Sequence, residues 1–186
     1  MMMKKMTRLL AGFVIAAGLV MPLQADIPKT MEIDGIALVL NGEGTRKMMM
    51  MKIYKGALYL AEKSSDGPAI VAADKPMAIR LEMVSGLITS EKMEDATLEG
   101  LEKATDGNLE PIQDSVDAFI NVFREEINDG DTFDIANIPG KGIEVYKNGT
   151  LKKTIDGGLE FKQAVFAIWL GEDPVQGPLK KGMLGK

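Results

Sequence analysis

Four consecutive methionines, Met48 to Met51, stand in the stretch "RKMMMMKIYKGALYL", between the basic pair Arg46-Lys47 and the aromatic Tyr54. Three chemistries suit such a run. Thioethers bind copper(I), pliable unbranched side chains fill the wall of a packed sheet, and the same side chains line a pocket for a greasy ligand. In an extended strand alternate residues share a face. A single strand through this stretch places Arg46, Met48, Met50, Lys52, Tyr54, Leu58 and Leu60 on one side, and Met49, Met51, Ile53, Ala57, Tyr59 and Ala61 on the other. Each side receives two methionines, so four sulfurs do not converge on one point. A copper site would also call for histidine, which the chain lacks. No metal is expected, and the run is read as core or pocket lining.

Cysteine is absent as well. Disulfides, thiolate nucleophiles, Ser-His-Asp triads and zinc sites built on Cys or His are therefore excluded. Any chemistry must use Arg, Lys, Tyr, Thr, Asn, Asp or Glu, or a cofactor, and no cofactor motif is present: Gly42 and Gly44, without a further glycine, make no phosphate loop. The acidic pairs Glu125-Glu126 and Asp129/Asp131 suit solvated helix ends. The single tryptophan, Trp169 in "FAIWLG", suits a helix-on-sheet core.

The elements that must position Arg46 and Tyr54 are legible in outline. Lys4, Lys5 and Arg8 precede the uncharged run Leu9 to Val20, then Pro22 and a small residue at Ala25. That is the order of a secretory signal, and it predicts a segment 1–25 removed on export, a mature domain 26–186 and a periplasmic or otherwise exported location. Loss of those three positive charges takes the net charge from −5 to −8. So acidic a chain offers no footprint for nucleic acid, and nothing downstream is long and apolar enough to span a bilayer. The residues name no particular protein partner.

"MEIDGIALVLNGEG" reads as two strands around Asp34-Gly35 followed by a Gly-rich turn, and Gly56 as a bulge or bend. "AIVAADKP" reads as one helical turn, and "MAIRLEMV" as a strand with Ile79, Leu81 and Met83 on one face. Thr89 or Ser90 caps a helix with an inner stripe of Met93, Ala96, Thr97, Leu101 and Ala104, stopped at Gly107. A second helix runs from Pro111, through Phe119 and Phe123, to Gly130. "DTFDIANI" is a strand, "GIEVYKNGTLKKTI" a hairpin turning at Asn148-Gly149, and "LEFKQAVFAIWLG" an apolar helix before a short tail. The expected fold class is α+β: one antiparallel sheet with helices on one face, in a single domain.

Two stretches, "NGEGTRKMMMMKIYKGALYL" and "GLEFKQAVFAIWLGEDPVQGPLKKGMLG", with "ITSEKM" and "GDTFDI" between them, resemble the chalcone isomerase-like family, and in particular its bacterial exported branch. The resemblance implies an open-faced β-sandwich, a large antiparallel sheet with a layer of helices against it. Plant enzymes of the family close a chalcone to a flavanone with an Arg, a Thr, a Tyr and an Asn. Arg46 matches the Arg, whereas Tyr54 stands at the Thr position, Thr89 at the Tyr position and Ala96 at the Asn position. Three of the four positions depart, and Arg46 alone cannot supply the proton-donating network that the cyclisation needs. A non-catalytic branch binds fatty acids through an Arg and a Tyr that match Arg46 and Tyr54. A guanidinium grips a carboxylate through two parallel hydrogen bonds, and a phenol adds a third. Met48, Met50, Leu58 and Leu60 would then line an apolar slot. Three readings follow: an exported binding protein for a small amphipathic acid such as a fatty acid, an isomerase or intramolecular lyase on another substrate, and a structural or partner-binding envelope protein.

Overall fold

The computed structural model describes residues 27–186, so the expected signal segment lies outside the described residues. Seven strands form one antiparallel sheet in strict chain order: β1 (Thr30–Ile33), β2 (Ile36–Met48), β3 (Met51–Leu60), β4 (Met77–Met83), β5 (Thr132–Ile138), β6 (Gly142–Lys147) and β7 (Thr150–Ile155). The sheet curls into a half-barrel, and five helices lie against one face: α1 (Gly67–Ala72), α2 (Ser90–Ala104), α3 (Gln113–Ile120), α4 (Gly158–Leu170) and α5 (Gly177–Met183). This is the expected α+β architecture.

Strand alternation explains which face is covered. Met77, Ile79, Leu81 and Met83 of β4 all enter the large core, together with Phe119, Phe123, Phe161, Phe166 and Trp169 from the helices. Their neighbours Ala78, Ala57, Tyr59 and Ala136 point the other way, into a smaller cluster with Ile27, Met31 and Leu38. Helix starts follow local chemistry. The Asp66 carboxylate accepts from the Ala69 amide at 3.0 Å, and the Thr89 hydroxyl from the Lys92 amide at 3.3 Å. The β6–β7 hairpin turns at Asn148 (φ 52°) and Gly149 (φ 76°), as its sequence requires.

The structure departs from the sequence reading in five places. First, residues 46–60 are not one strand. Met48 pairs with Met51, and the chain reverses over Met49 and Met50. Second, "NGEG" is not a turn, because β2 continues straight through it. Its glycines serve close approach instead: a Cβ at Gly42 would meet the Gly182 carbonyl oxygen and stand 2.8 Å from the Gly185 nitrogen, and one at Gly44 would lie 3.1 Å from the Leu179 carbonyl oxygen. Third, the expected tail contains α5, the helix those glycines admit. Fourth, Gly56 is no bulge. It pairs with Gly44 in regular register, and the register shifts fall between Leu40 and Gly42 and between Arg46 and Lys47. Fifth, the helix from Pro111 is broken into a 3₁₀ turn (Glu110–Ile112), α3 and a second 3₁₀ turn (Asn121–Arg124). Ile127 is still buried, from a loop. The stripe of α2 also includes Gly100, where a Cβ would stand 2.9 Å from Cγ2 of Ile168, so α2 and α4 touch along it.

Candidate ligand-binding site

Arg46 and Tyr54 meet across the β2–β3 hairpin, and a bulge brings them together. Lys47 pairs with Lys52, but the next pair is Arg46 with Tyr54, so Ile53 is the extra residue on β3. Without it Arg46 would stand opposite Ile53. A one-residue slip sends a side chain to the other face, and bulges are a usual means of re-aiming one. The two residues are therefore cross-strand partners on neighbouring strands, whereas the single-strand reading had them eight apart on one.

Tyr54 is buried, and its ring lies 5.6 Å from the Arg46 guanidinium carbon. Its hydroxyl accepts a hydrogen bond from Nε1–H of Trp169 at 3.0 Å. Burial pushes the phenol pKa above its ordinary value, while the charge of Arg46 and the indole donor pull it back. Tyr54 is thus a neutral phenol across the physiological range. One lone pair is filled by Trp169, and its O–H proton has no acceptor among the described residues.

A groove of about 380 Å³ opens beside Arg46, between the β2–β3 hairpin, the loop before α2, and α2 itself. Met48, Met51, Ile53, Leu87, Ile88 and Ala96 form its apolar walls, and Lys92, Asp95 and Glu99 its rim. Glu99 is held by Lys103 at 2.7 Å, and no carboxylate pairs with Arg46 among the described residues. Such a groove suits an apolar tail with an anionic head.

The residues expected to line the slot do not stay together. Arg46 and Met48 border the groove; Tyr54 does not line it, being 2% exposed with its ring beneath Arg46. Met50 projects from the hairpin tip, outside the groove. Leu58 is sealed in the core, and Leu60 lies about 20 Å from Tyr54 along β3, where it borders a separate cavity with Ser64, Lys75 and Met77. Alternation along one strand grouped these residues, but the turn at Met49-Met50 and the bulge at Ile53 break that alternation twice. Met51, Ile53, Leu87 and Ile88 were missed as groove walls. Trp169 was read as core, which it is, yet its indole N–H also orients the phenol. No sequence signal marks that role, since the two residues are 115 positions apart.

The positions aligned with the plant isomerases are also informative. The Thr89 hydroxyl is occupied in capping α2, and Ala96 presents only a methyl to the groove. Among the described residues no group of acidic side chains is arranged to hold a metal ion.

A fatty-acid binding protein from Arabidopsis thaliana has a similar fold. Its crystal structure aligns with a TM-score of 0.67 at 17% sequence identity, over 85% of this chain and 90% of that one. No curated protein sequence matches the chain. The family model described as chalcone isomerase-like matches residues 23–185, which takes in every strand and helix described above, and the chain therefore belongs to the chalcone isomerase-like family.

Proposed function

We propose that the protein is an exported, non-catalytic binding protein for a small amphipathic acid such as a fatty acid. The observation that carries this reading is Arg46: a guanidinium facing an apolar groove, free of any carboxylate partner among the described residues, with a neutral phenol behind it. A ligand carboxylate would take two parallel hydrogen bonds from the guanidinium, which the buried Tyr54 ring backs from beneath. The tail would lie against Met48, Met51, Ile53 and Leu87. The groove volume falls within the range usual for small-molecule sites, and the likeness to a plant fatty-acid binding protein supports the ligand class. With its hydroxyl capping α2, Thr89 offers no free polar group at the position aligned with the plant Tyr, and Ala96 offers none at the position aligned with the Asn. Export rests on the charged, apolar, small-residue order of residues 1–25, and N-terminal sequencing of protein recovered from the cell envelope tests it.

Calorimetric titration with a long-chain fatty acid and with its methyl ester tests the site. The acid binds and the ester binds weakly. Arg46→Met lowers affinity for the acid about ten- to a hundredfold, the effect of one charge-assisted pair. Equal binding of acid and ester removes Arg46 as the anchor, and flavanone formation from chalcone by the unaltered protein overturns the non-catalytic reading.

A further inference from the structure

The tip of the β2–β3 hairpin combines three features that cost the fold stability and that the groove does not use. Met49 and Met50 are 91% and 96% exposed, the most exposed large apolar side chains among the described residues. Met49 holds φ 56°, a left-handed conformation that a long L side chain adopts at a cost. The other two-residue hairpins among the described residues meet that demand with Asp34-Gly35 and Asn148-Gly149, the sequences suited to it. Behind the tip, Lys47 stands directly opposite Lys52, a like-charge pair that weakens a ladder. Neither lysine is in an ion pair among the described residues, and both are exposed.

Charge isolates this element further. No carboxylate occurs between Glu43 and Glu62, whereas Arg46, Lys47, Lys52 and Lys55 all do, in a chain of net charge −5. Two fully exposed apolar side chains at an apex, with a collar of cations two residues behind them, match an anionic bilayer: hydrocarbon first, phosphate at the depth of the lysines. A protein partner would ask for a broader apolar area than one turn supplies.

We infer that the Met49-Met50 tip is a membrane-docking element, inserting into the interface of an anionic lipid bilayer while Lys47 and Lys52 bind its headgroups. This rests on the proposed ligand reading in one respect. Met48 and Met51 border both the tip and the groove, so a docked protein would present the groove mouth to the lipid from which an amphipathic acid is taken or to which it is delivered.

The chain has no cysteine, so Met50→Cys in the full chain takes a single nitrobenzoxadiazole label, and Leu151→Cys on exposed β7 takes the control label. Vesicles of phosphatidylcholine alone and of phosphatidylcholine with phosphatidylglycerol are added without fatty acid. The expected result is a blue shift at position 50 with the anionic vesicles, reversed by salt, and none at 151. Lys47→Gln with Lys52→Gln weakens the effect about tenfold or more, at roughly fivefold per charge. Met49→Ser with Met50→Ser abolishes vesicle binding but leaves fatty-acid titration in solution unchanged. No shift at 50, equal shifts at 50 and 151, equal response to neutral vesicles, or a concentration-dependent shift without vesicles (a second copy as the occupant) each overturns the inference. Loss of fatty-acid binding by the unaltered protein would instead sink the ligand reading and leave the docking result standing.

Discussion

Trp169 on α4 and Tyr54 on β3 share one buried hydrogen bond, indole N–H to phenol oxygen at 3.0 Å, and through it the helical layer sets the position of the phenol beneath Arg46. The bond has a direction that matters. Because Trp169 can only donate, the phenol oxygen must accept from it, and the phenol proton is left to point elsewhere.

Tyr54→Phe is therefore expected to act on the fold. It strands the indole N–H in the core, at a cost of about 1–3 kcal/mol in stability. Trp169→Phe removes the donor and leaves a void, so it should also destabilise. The double variant should lose less than the sum, with a coupling of about 1 kcal/mol. Urea unfolding of the four proteins checks this, and strictly additive losses would dissolve the link between helix and phenol.

Gly42→Ala should detach α5 from the sheet. The added methyl meets backbone only, at Gly182, Met183 and Gly185, and backbone cannot rotate away as a side chain can. The expected loss is about 1–3 kcal/mol, with faster hydrogen exchange confined to α5 and the facing part of β2. Gly35→Ala, in an open turn at φ 75°, is the contrasting case, where the strain is in the backbone alone.

The β2–β3 tip should be stabilised by correcting its turn. Met49→Asn relieves the left-handed methionine, and about 0.5–1 kcal/mol of added stability would raise the melting temperature by roughly 1–4 °C. A fall in melting temperature would show that Met49 packs on the fold in a way its exposure conceals.

Lys162 is 1% exposed, and its ammonium donates to three backbone carbonyls at the end of α1: Ile70 at 2.9 Å, Val71 at 2.7 Å and Ala73 at 2.7 Å. Lys162→Met leaves those carbonyls short of donors, and a loss of about 2 kcal/mol, or roughly 4–8 °C, is expected. Burial pushes the ammonium pKa down to about 8, against the opposing pull of Asp74. A lowered lysine pKa means that the unfolded chain holds more protons above pH 8. Stability from this group therefore rises as pH climbs from about 8 towards the unfolded value near 10.4, and is at its lowest below 8. Melting curves of the parent and Lys162→Met across that window check the sign: the gap between them should widen with pH.

How much of this was legible in the residues depended on whether a local signal matched the local physics. Thr89 as a cap, Asn148-Gly149 as a turn and the alternation of Ile79, Leu81 and Met83 are local rules obeyed locally, and each was found. The β2–β3 hairpin was hidden because Met49-Met50 carries no turn chemistry, and because the phase change at the turn falls inside a run of four identical methionines, where it leaves no mark. The glycines of "NGEG" were misread for the opposite reason. They carry a turn signal, but what they answer to is α5, about 140 residues further along the chain. Arg46 and Tyr54 were named from the family resemblance, and their distance apart in the chain suggested a shared face. Their actual meeting depends on the bulge at Ile53, which no residue type announces.

The strict chain order of the sheet has a consequence for how the protein is made. Every strand pairs with its neighbour in sequence, so β1–β3 and β5–β7 can each grow hairpin by hairpin through tight turns, while α1 separates β3 from β4 and α2 and α3 separate β4 from β5. The hydrogen bond that spans the most sequence among the described residues departs furthest from that pattern: Asn41 on β2 donates to the Met183 carbonyl at 2.9 Å, across 142 residues, while α5 lies over Gly42 and Gly44. Beyond Val39, where its pairing with β1 ends, the outer edge of β2 is closed by the last helix of the chain, with Gln176 bonded to both backbone groups of Lys47. Until α5 has left the ribosome or the translocon that edge is an unpaired strand, open to another chain. The β2 edge is therefore where a stalled or truncated copy would aggregate, and where a holding chaperone would have most to protect.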